Sequence, residues 1–304
     1  MATQSTNDAT IRAARPDDHE DVRTIASSVW TDRGGDYLPS VYQEWIRGEH
    51  RRTLVAELEG TVVGIAQCVV LSPFEAWCQG MRVHPDYRGR GLGTTITEAL
   101  FDWAREQGST VARNMVFSWN GAGLGQSRAI GFEPVAAFRW VRLEPDSGAT
   151  PTHSVTDDPD VAWTTWASSE ARNALAGLAL DPDESWALSE LTRRKLHRAA
   201  NDRSVVTVID GRARATSFRT QLHERQTEEG STTHLAEYGV ATWTGPEIVS
   251  SLFDAISADA AAIDADAARV LIPETPRHVT DAAYARGKLS DEPSIVLSMD
   301  LTSW

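Results

Sequence analysis

Residues 83–100 read VHPDYRGRGLGTTITEAL. Three glycines and two arginines fall within residues 88–93, and a helical pattern follows at once. Glycine lets the backbone approach a ligand closely and reach positive φ. Successive N–H groups there, with the positive end of the next helix, form an anion site. Arg88 and Arg90 add charge. The stretch therefore predicts a phosphate or pyrophosphate cradle between a strand and a helix. A nucleotide-hydrolase loop would end in Gly-Lys-Ser/Thr, but Gly93 is followed by Thr94. A dinucleotide fingerprint fits no better: GAGLGQ, residues 121–126, misplaces its third glycine and lies too far along the chain.

Around the loop, residues 10–143 read as alternating strands and helices. TIRAARP is a short strand. The helix after Asp17 and Asp18 puts Val22, Ile25, Ala26 and Val29 on one face. LPSVYQEWIRG is a second helix, and RRTLVAELEGTVVGIAQCVVL is a hairpin around a Glu-Gly turn. AWCQGMRVHP is a strand leading into the loop. The helix after it carries Ile96, Ala99, Leu100 and Trp103 and ends near Gly108. A strand (TVARNMVFSW), a short helix (GAGLGQSRAIGF) and a final strand (VAAFRWVRLEP) complete the run.

The pattern Arg88-x-x-Gly91-x-Gly93, preceded by a strand and V-x-P-x-Y, resembles the acetyl-CoA loop of the Gcn5-related N-acetyltransferases (GNAT). Asn120, Gly123, Gly131 and Phe132 keep the spacing of a second family feature. The resemblance covers about residues 10–143. It implies the acyl-CoA N-acyltransferase fold, an α/β class with a mixed sheet, and acetyl-CoA as cofactor. Main-chain N–H groups of Arg88, Gly89, Arg90, Gly91, Leu92, Gly93 and Thr94 would bind the pyrophosphate. The main chain of Met81, Arg82 and Val83 would pair with the pantetheine arm like an added strand. Asn120 would hydrogen-bond that arm or cap the following helix.

Direct attack on the thioester, which the resemblance implies, needs a neutral amine, an oxyanion donor and an acid for the thiolate. Two positions depart from the family. Ser127 stands where a Tyr acid is common, and a serine hydroxyl is short and a poor proton donor. Gln79 stands where a Glu base is common; it can orient a water but cannot deprotonate it. Glu75, four residues before Gln79, is a substitute on the same strand face if the strand is regular. The stretch RGGDYLPSVYQEWI, residues 33–46, falls where the family builds its acceptor pocket. Asp36 could hold an ammonium, and Tyr37, Tyr42 and Trp45 could form a wall or pack as core. This stretch, followed by GMRVHP and RGRG, is similar to the histidine N-acetyltransferase group. The resemblance thus favours acetyl transfer to a small amine or amino acid. A non-catalytic acyl-CoA-binding or regulatory protein and a protein N-acetyltransferase remain as alternatives.

Length suggests about two domains. Residues 144–160, rich in Pro, Gly, Ser, Thr and Asp, read as a linker. The expected division is a GNAT domain at 1–145, a linker at 146–160 and a second domain at 161–304. The second half shows two helices (SSEARNALAGLAL and ESWALSELTRRKLHRAA) and a hairpin around IDGR. Strands and helices then alternate in an order that echoes the first half. Its counterpart of the loop, TGPEIV, has one glycine and no arginine, so a degenerate, non-catalytic copy is expected. Arg212, Arg214, Arg219 and His223 could make acceptor contacts or form a solvated strand face. A net charge of −14 argues against nucleic acid or an anionic membrane as partner. No basic-then-apolar leader opens the chain, which makes the cytoplasm the expected location. Cys68 and Cys78 read as buried small hydrophobes, and no spacing suggests a metal site.

Overall fold

The computed structural model describes residues 9–29, 35–202, 204–226 and 232–304. Contacts gather the chain into two units. The first is residues 1–115, 121–133 and 297–304; the second is 116–120 and 134–296.

The first unit begins with β1 (Thr10–Ala13), α1 (His19–Ser27) and α2 (Leu38–Trp45). β2 (Arg51–Leu58), β3 (Thr61–Ser72) and β4 (Glu75–Val83) follow, then α3 (Leu92–Glu106), β5 (Val111–Phe117) and α4 (Gly121–Ile130). β1 to β4 are successive antiparallel neighbours. β5 returns parallel to β4, with α3 as the crossover. The apolar spacing of α1 and α2 explains the core on one side: Val22, Ile25, Leu38, Tyr42 and Trp45 pack on Val55, Val62 and Ile65. α3 buries Leu92, Ile96, Leu100, Phe101 and Ala104. Ala99 and Trp103, expected on that face, lie at its half-buried margin.

After α4 come β6 (Glu133–Leu143), β7 (Ser154–Thr156), α5 (Pro159–Ala167), α6 (Glu170–Ala174), β8 (Leu178–Leu180), β9 (Leu188–Glu190) and α7 (Arg193–Asp202). Next are β10 (Ser204–Asp210), β11 (Arg212–Gln226), β12 (Thr232–Tyr238), β13 (Thr242–Trp243), α8 (Pro246–Ala262) and β14 (Ala267–Pro273). α9 (Pro276–Tyr284), β15 (Lys288–Leu289) and β16 (Ser294–Asp300) close the chain. In the second unit β7 is antiparallel to β10, and β10, β11 and β12 run antiparallel in turn. β14 then returns parallel to β12 after α8. This repeats the order β1, β2, β3, β4, α3, β5 of the first unit. Val208, Tyr238, Ile248, Leu252, Ile256 and Val270 form its core.

The contacts divide the chain elsewhere than its composition suggests. β6 counts with the second unit from Pro134 on, while the C-terminal residues 297–304 count with the first. Leu297 and Leu301 are buried there, and Trp304 meets Phe101 edge to face at 5.1 Å. The stretch read as a linker contains β7, paired with β10, and the start of α5, capped by Asp158. SSEARNALAGLAL holds only the five-residue α6. Ala176 and Gly177, both at positive φ, end it, and β8 pairs with β9 where helix was expected. Among the described residues, no helix is long and apolar enough to cross a membrane.

Candidate active site

β4 carries the centre of the site. Its register against β3 is regular from Ala76 to Gln79 and then shifts: Gln67 faces Gln79, whereas Ile65 faces Arg82. The extra residue makes a bulge, and Gly80 takes φ +66° within it. A Cβ on Gly80 would lie 2.3 Å from the Trp45 ring, so the ring occupies the space a side chain would need. On its other edge β4 pairs with β5 only at Glu75–Val111, Ala76–Ala112 and Trp77–Arg113. Beyond Trp77 the two parallel strands part. The main chain of Met81, Arg82 and Val83 thus lies on an edge with no strand beside it among the described residues, as a strand-like ligand requires.

The loop after β4 begins with a 3₁₀ turn at Pro85–Tyr87. Arg88 N–H donates to the Pro85 carbonyl, and Thr95 N–H to the Gly91 carbonyl. The N–H groups of residues 89–94 between them have no acceptor among the described residues. Gly89 and Gly91 have φ of +74° and +76°, and Gly91 is the N-cap of α3. This succession of left-handed glycines and open donors is an anion nest at a helix start. Arg88 Nε donates to the Val83 carbonyl, and the Arg90 guanidinium lies 5.1 Å over the Tyr87 ring, so both cations are held at the loop.

Gln79 is fixed by a polar chain buried in the sheet. Gln67, fully buried, donates Nε2 to the Trp45 carbonyl at 2.9 Å and to the Thr53 hydroxyl at 3.0 Å. The Thr53 hydroxyl donates to the same carbonyl at 2.7 Å. A carbonyl only accepts, so Gln67 must turn its own Oε1 toward Gln79. Gln79 in turn must donate its Nε2, at 2.8 Å. Its Oε1 is thereby turned away from Gln67. Glu75 is the residue expected as a substitute base. It is 2% exposed, accepts from Arg113 at 2.6 Å and from Ser72 at 2.9 Å, and lies about 13 Å along the strand from Gln79.

Ser127 is buried on α4 and accepts from Asn114 Nδ2 at 3.0 Å, which leaves its own proton to donate. Asn114 Oδ1 is buried without a partner among the described residues. Asn120 precedes α4 as expected; its N–H donates to the Phe117 carbonyl, and contacts group it with the second unit.

The acceptor residues divide. Asp36, expected to hold an ammonium, is instead paired with Arg82, at 2.6 Å, and its side chain has no exposed surface. Tyr37 is 48% exposed, lies over the Arg82 guanidinium and meets Trp45 edge to face. Tyr42 is core: fully buried, it donates its hydroxyl to the Arg15 carbonyl. Burial raises its pKa above the usual tyrosine range. Arg33 and Gly34 lie outside the described residues. Cys68 and Cys78 face each other as free, buried thiols 3.5 Å apart. The hydrogen bond between them, with burial, raises the Cys68 thiol well above its usual value.

In the second unit, Arg219 pairs with Asp259 at 3.3 Å, and His223 lies 2.9 Å from the buried Glu237. Burial alone would raise Glu237. The hydrogen bond from His223 and the charge of Arg269 outweigh it and hold the carboxyl below its usual value.

The acetyltransferase (GNAT) family model matches residues 19–122, from α1 through the loop to the start of α4. Residues 19–122 belong to the GNAT family. Histidine N-acetyltransferase of Xenopus tropicalis is 36% identical over 78 residues, 25% of this chain and 24% of that protein. L-methionine sulfoximine/L-methionine sulfone acetyltransferase of Pseudomonas paraeruginosa is 32% identical over 115 residues, 35% of this chain and 66% of that one. The chain thus spans less than two thirds of each relative's length. A solved GCN5-related N-acetyltransferase from Sphaerobacter thermophilus superposes with a TM-score of 0.62 at 13% identity. The match covers 98% of this chain and 97% of that one, so the GNAT acyltransferase fold extends over both units.

Proposed function

We propose that the protein is an acetyl-CoA-dependent N-acetyltransferase for the amine of a small molecule or amino acid. The observation that carries this is the 89–94 anion nest beside the stretch of β4 beyond Trp77, where the pairing with β5 ends among the described residues. The residues present fit the cofactor. The open N–H groups and Arg88 and Arg90 suit a pyrophosphate. Met81, Arg82 and Val83 suit an extended amide-bearing arm, with Asn120 beside α4. Bound acetyl-CoA would supply the activated acetyl carbon. Ser127, with its oxygen held by Asn114, would donate a hydrogen bond to the leaving thiolate without giving up its proton. Gln79 would orient the incoming amine but cannot accept a proton, so the amine must arrive neutral, and the proton it loses on forming the amide goes through solvent to the departing thiolate.

The named relatives act on histidine and on methionine sulfoximine or sulfone, which supports a small amino-acid-like acceptor. Tyr37, exposed and set against Arg82 and Trp45, would offer such a ligand an aromatic wall. The net charge of −14 and the absence of a membrane-length helix among the described residues fit a small-molecule partner and a cytoplasmic location. The second unit would be a degenerate copy without a cofactor loop.

The test incubates the protein with acetyl-CoA and a panel of amino acids while following free thiol. Thiol release that depends on the amine, with a rate that rises with pH as the amine loses its proton, is expected. Cofactor binding with no release above hydrolysis for any amine would instead assign a non-catalytic binding protein.

A further inference from the structure

The second unit has a cavity of its own, about 530 Å³. It opens where β13, the short strand after β12, leads into α8; β12 to α8 is the step that corresponds to β4, loop and α3 in the repeated order. Its wall contains Arg212 and Arg214 from β11, Arg277 from α9, Glu170 from α6 and Trp243 from β13. Hydroxyl side chains from segments 164–169 and 242–244 complete it. Three guanidinium groups line it, of which Arg214 is ion-paired with Asp210 and Glu247, and Arg277 with Glu170 and, at 3.8 Å, Asp281.

The cations differ in their freedom. Arg214 donates to Asp210 at 3.1 Å and to Glu247 at 2.8 Å. Arg277 donates to Glu170 at 2.7 Å and to the Thr244 carbonyl at 2.6 Å. Both are held in place. Arg212 is exposed and has no ion partner among the described residues. Trp243 is 5% exposed and held by its Nε1 donating to Asp281 at 2.9 Å, which makes it a fixed floor. The start of α8 itself is taken. A Cβ on Gly245, its N-cap, would lie 2.5 Å from a carboxylate oxygen of Glu247. The helix therefore covers its own N-terminus with its own anion, and a pyrophosphate would not sit there. The cavity lies beside that blocked position and keeps the cations.

The geometry points to a second ligand site in this cavity, for a small polar molecule carrying a carboxylate or a phosphate. Arg212 holds the oxyanion, and the hydroxyl oxygens of 164–169, whose protons go to backbone carbonyls, accept from donors on the polar remainder. The volume falls within the usual range of small-molecule sites, roughly 300–1,000 Å³. The site is independent of the acetyl-transfer reading.

Calorimetric titration of the full chain with inorganic phosphate and with citrate tests it. At least one probe binds the wild type. Arg212→Ala and Arg212→Gln each weaken that probe by about tenfold or more. Both variants melt at the wild-type temperature, since Arg212 is exposed and has no ion partner among the described residues. Gly91→Val, which disturbs the other anion site, leaves the affinity unchanged. The probe that binds decides between phosphate and carboxylate. The inference fails if neither probe binds the wild type, or if both Arg212 variants bind as it does. It also fails if affinity is lost in Gly91→Val and kept in Arg212→Ala, which would place the anion at residues 88–94.

Discussion

Gly80→Ala should destabilise the protein and disturb the cofactor edge together. At φ +66° an L side chain costs about 1–2 kcal/mol. The new methyl would also lie 2.3 and 2.4 Å from two carbons of the Trp45 ring. That ring is 5% exposed, and the carbonyl of the same residue accepts from both Thr53 and Gln67, so it has little room to retreat. Overpacking of this kind costs about 1–3 kcal/mol. The sum, about 2–5 kcal/mol, is measurable by chemical denaturation. A cycle with Trp45→Ala separates the two parts. Without the indole, Gly80→Ala should cost only the backbone share, about 1–2 kcal/mol, leaving a coupling of about 1–3 kcal/mol. Because the bulge sets where Met81, Arg82 and Val83 lie, the affinity for acetyl-CoA should fall in the same variant. A change below about 0.5 kcal/mol, or an equal cost in both backgrounds, would refute the steric reasoning.

Gln79→Glu should not restore a family-like base without loss: it turns two acceptors toward each other, since Gln67 Oε1 has no other donor to face. A destabilisation of about 1–3 kcal/mol is expected at pH 8 and less at pH 5, by denaturant titration; equal stability at pH 8 would show that Gln67 can turn. His278 is 2% exposed, and burial, helped by Arg277, pushes its pKa from 6.5 down to about 4. The unfolded chain therefore binds the proton first as pH falls. Stability is fully present above pH 6.5 and drops by about 3 kcal/mol toward pH 4, at about 1.4 kcal/mol per unit. His278→Gln should flatten this part of the stability–pH curve, and an unchanged curve would exclude His278 as its source.

The strand-to-helix loop was legible because its geometry is carried by the main chain. Glycine spacing encodes positive φ and open N–H groups directly, and Gly89 and Gly91 adopt both. The side-chain sites were less legible. Asp36 and Tyr42 have the residue types of an acceptor pocket, but sequence does not say that a strand places Arg82 against Asp36, or that Tyr42 turns inward to Arg15. The pairing of Glu75 was hidden in the same way: its partner Arg113 lies on a neighbouring strand. Two functional neighbours left a readable trace. Gln67 is a lone polar residue inside VVGIAQCVVL, and Asn114 breaks the apolar alternation of Ala112 and Val116. The second unit's helices were overread because ALAGLAL has helical composition, yet Ala176 and Gly177 at positive φ turn it into a strand.

Residues 88–94 are proposed here as the cradle of the acetyl-CoA pyrophosphate. Calorimetric titration of acetyl-CoA into the wild type and into Gly91→Val tests it most directly. Valine at φ +76° is strained by about 1–2 kcal/mol and pulls the loop out of its nest conformation. Tight binding to the wild type is expected, with its loss in a variant that still unfolds cooperatively. A folded Gly91→Val protein that binds acetyl-CoA with wild-type affinity would contradict it.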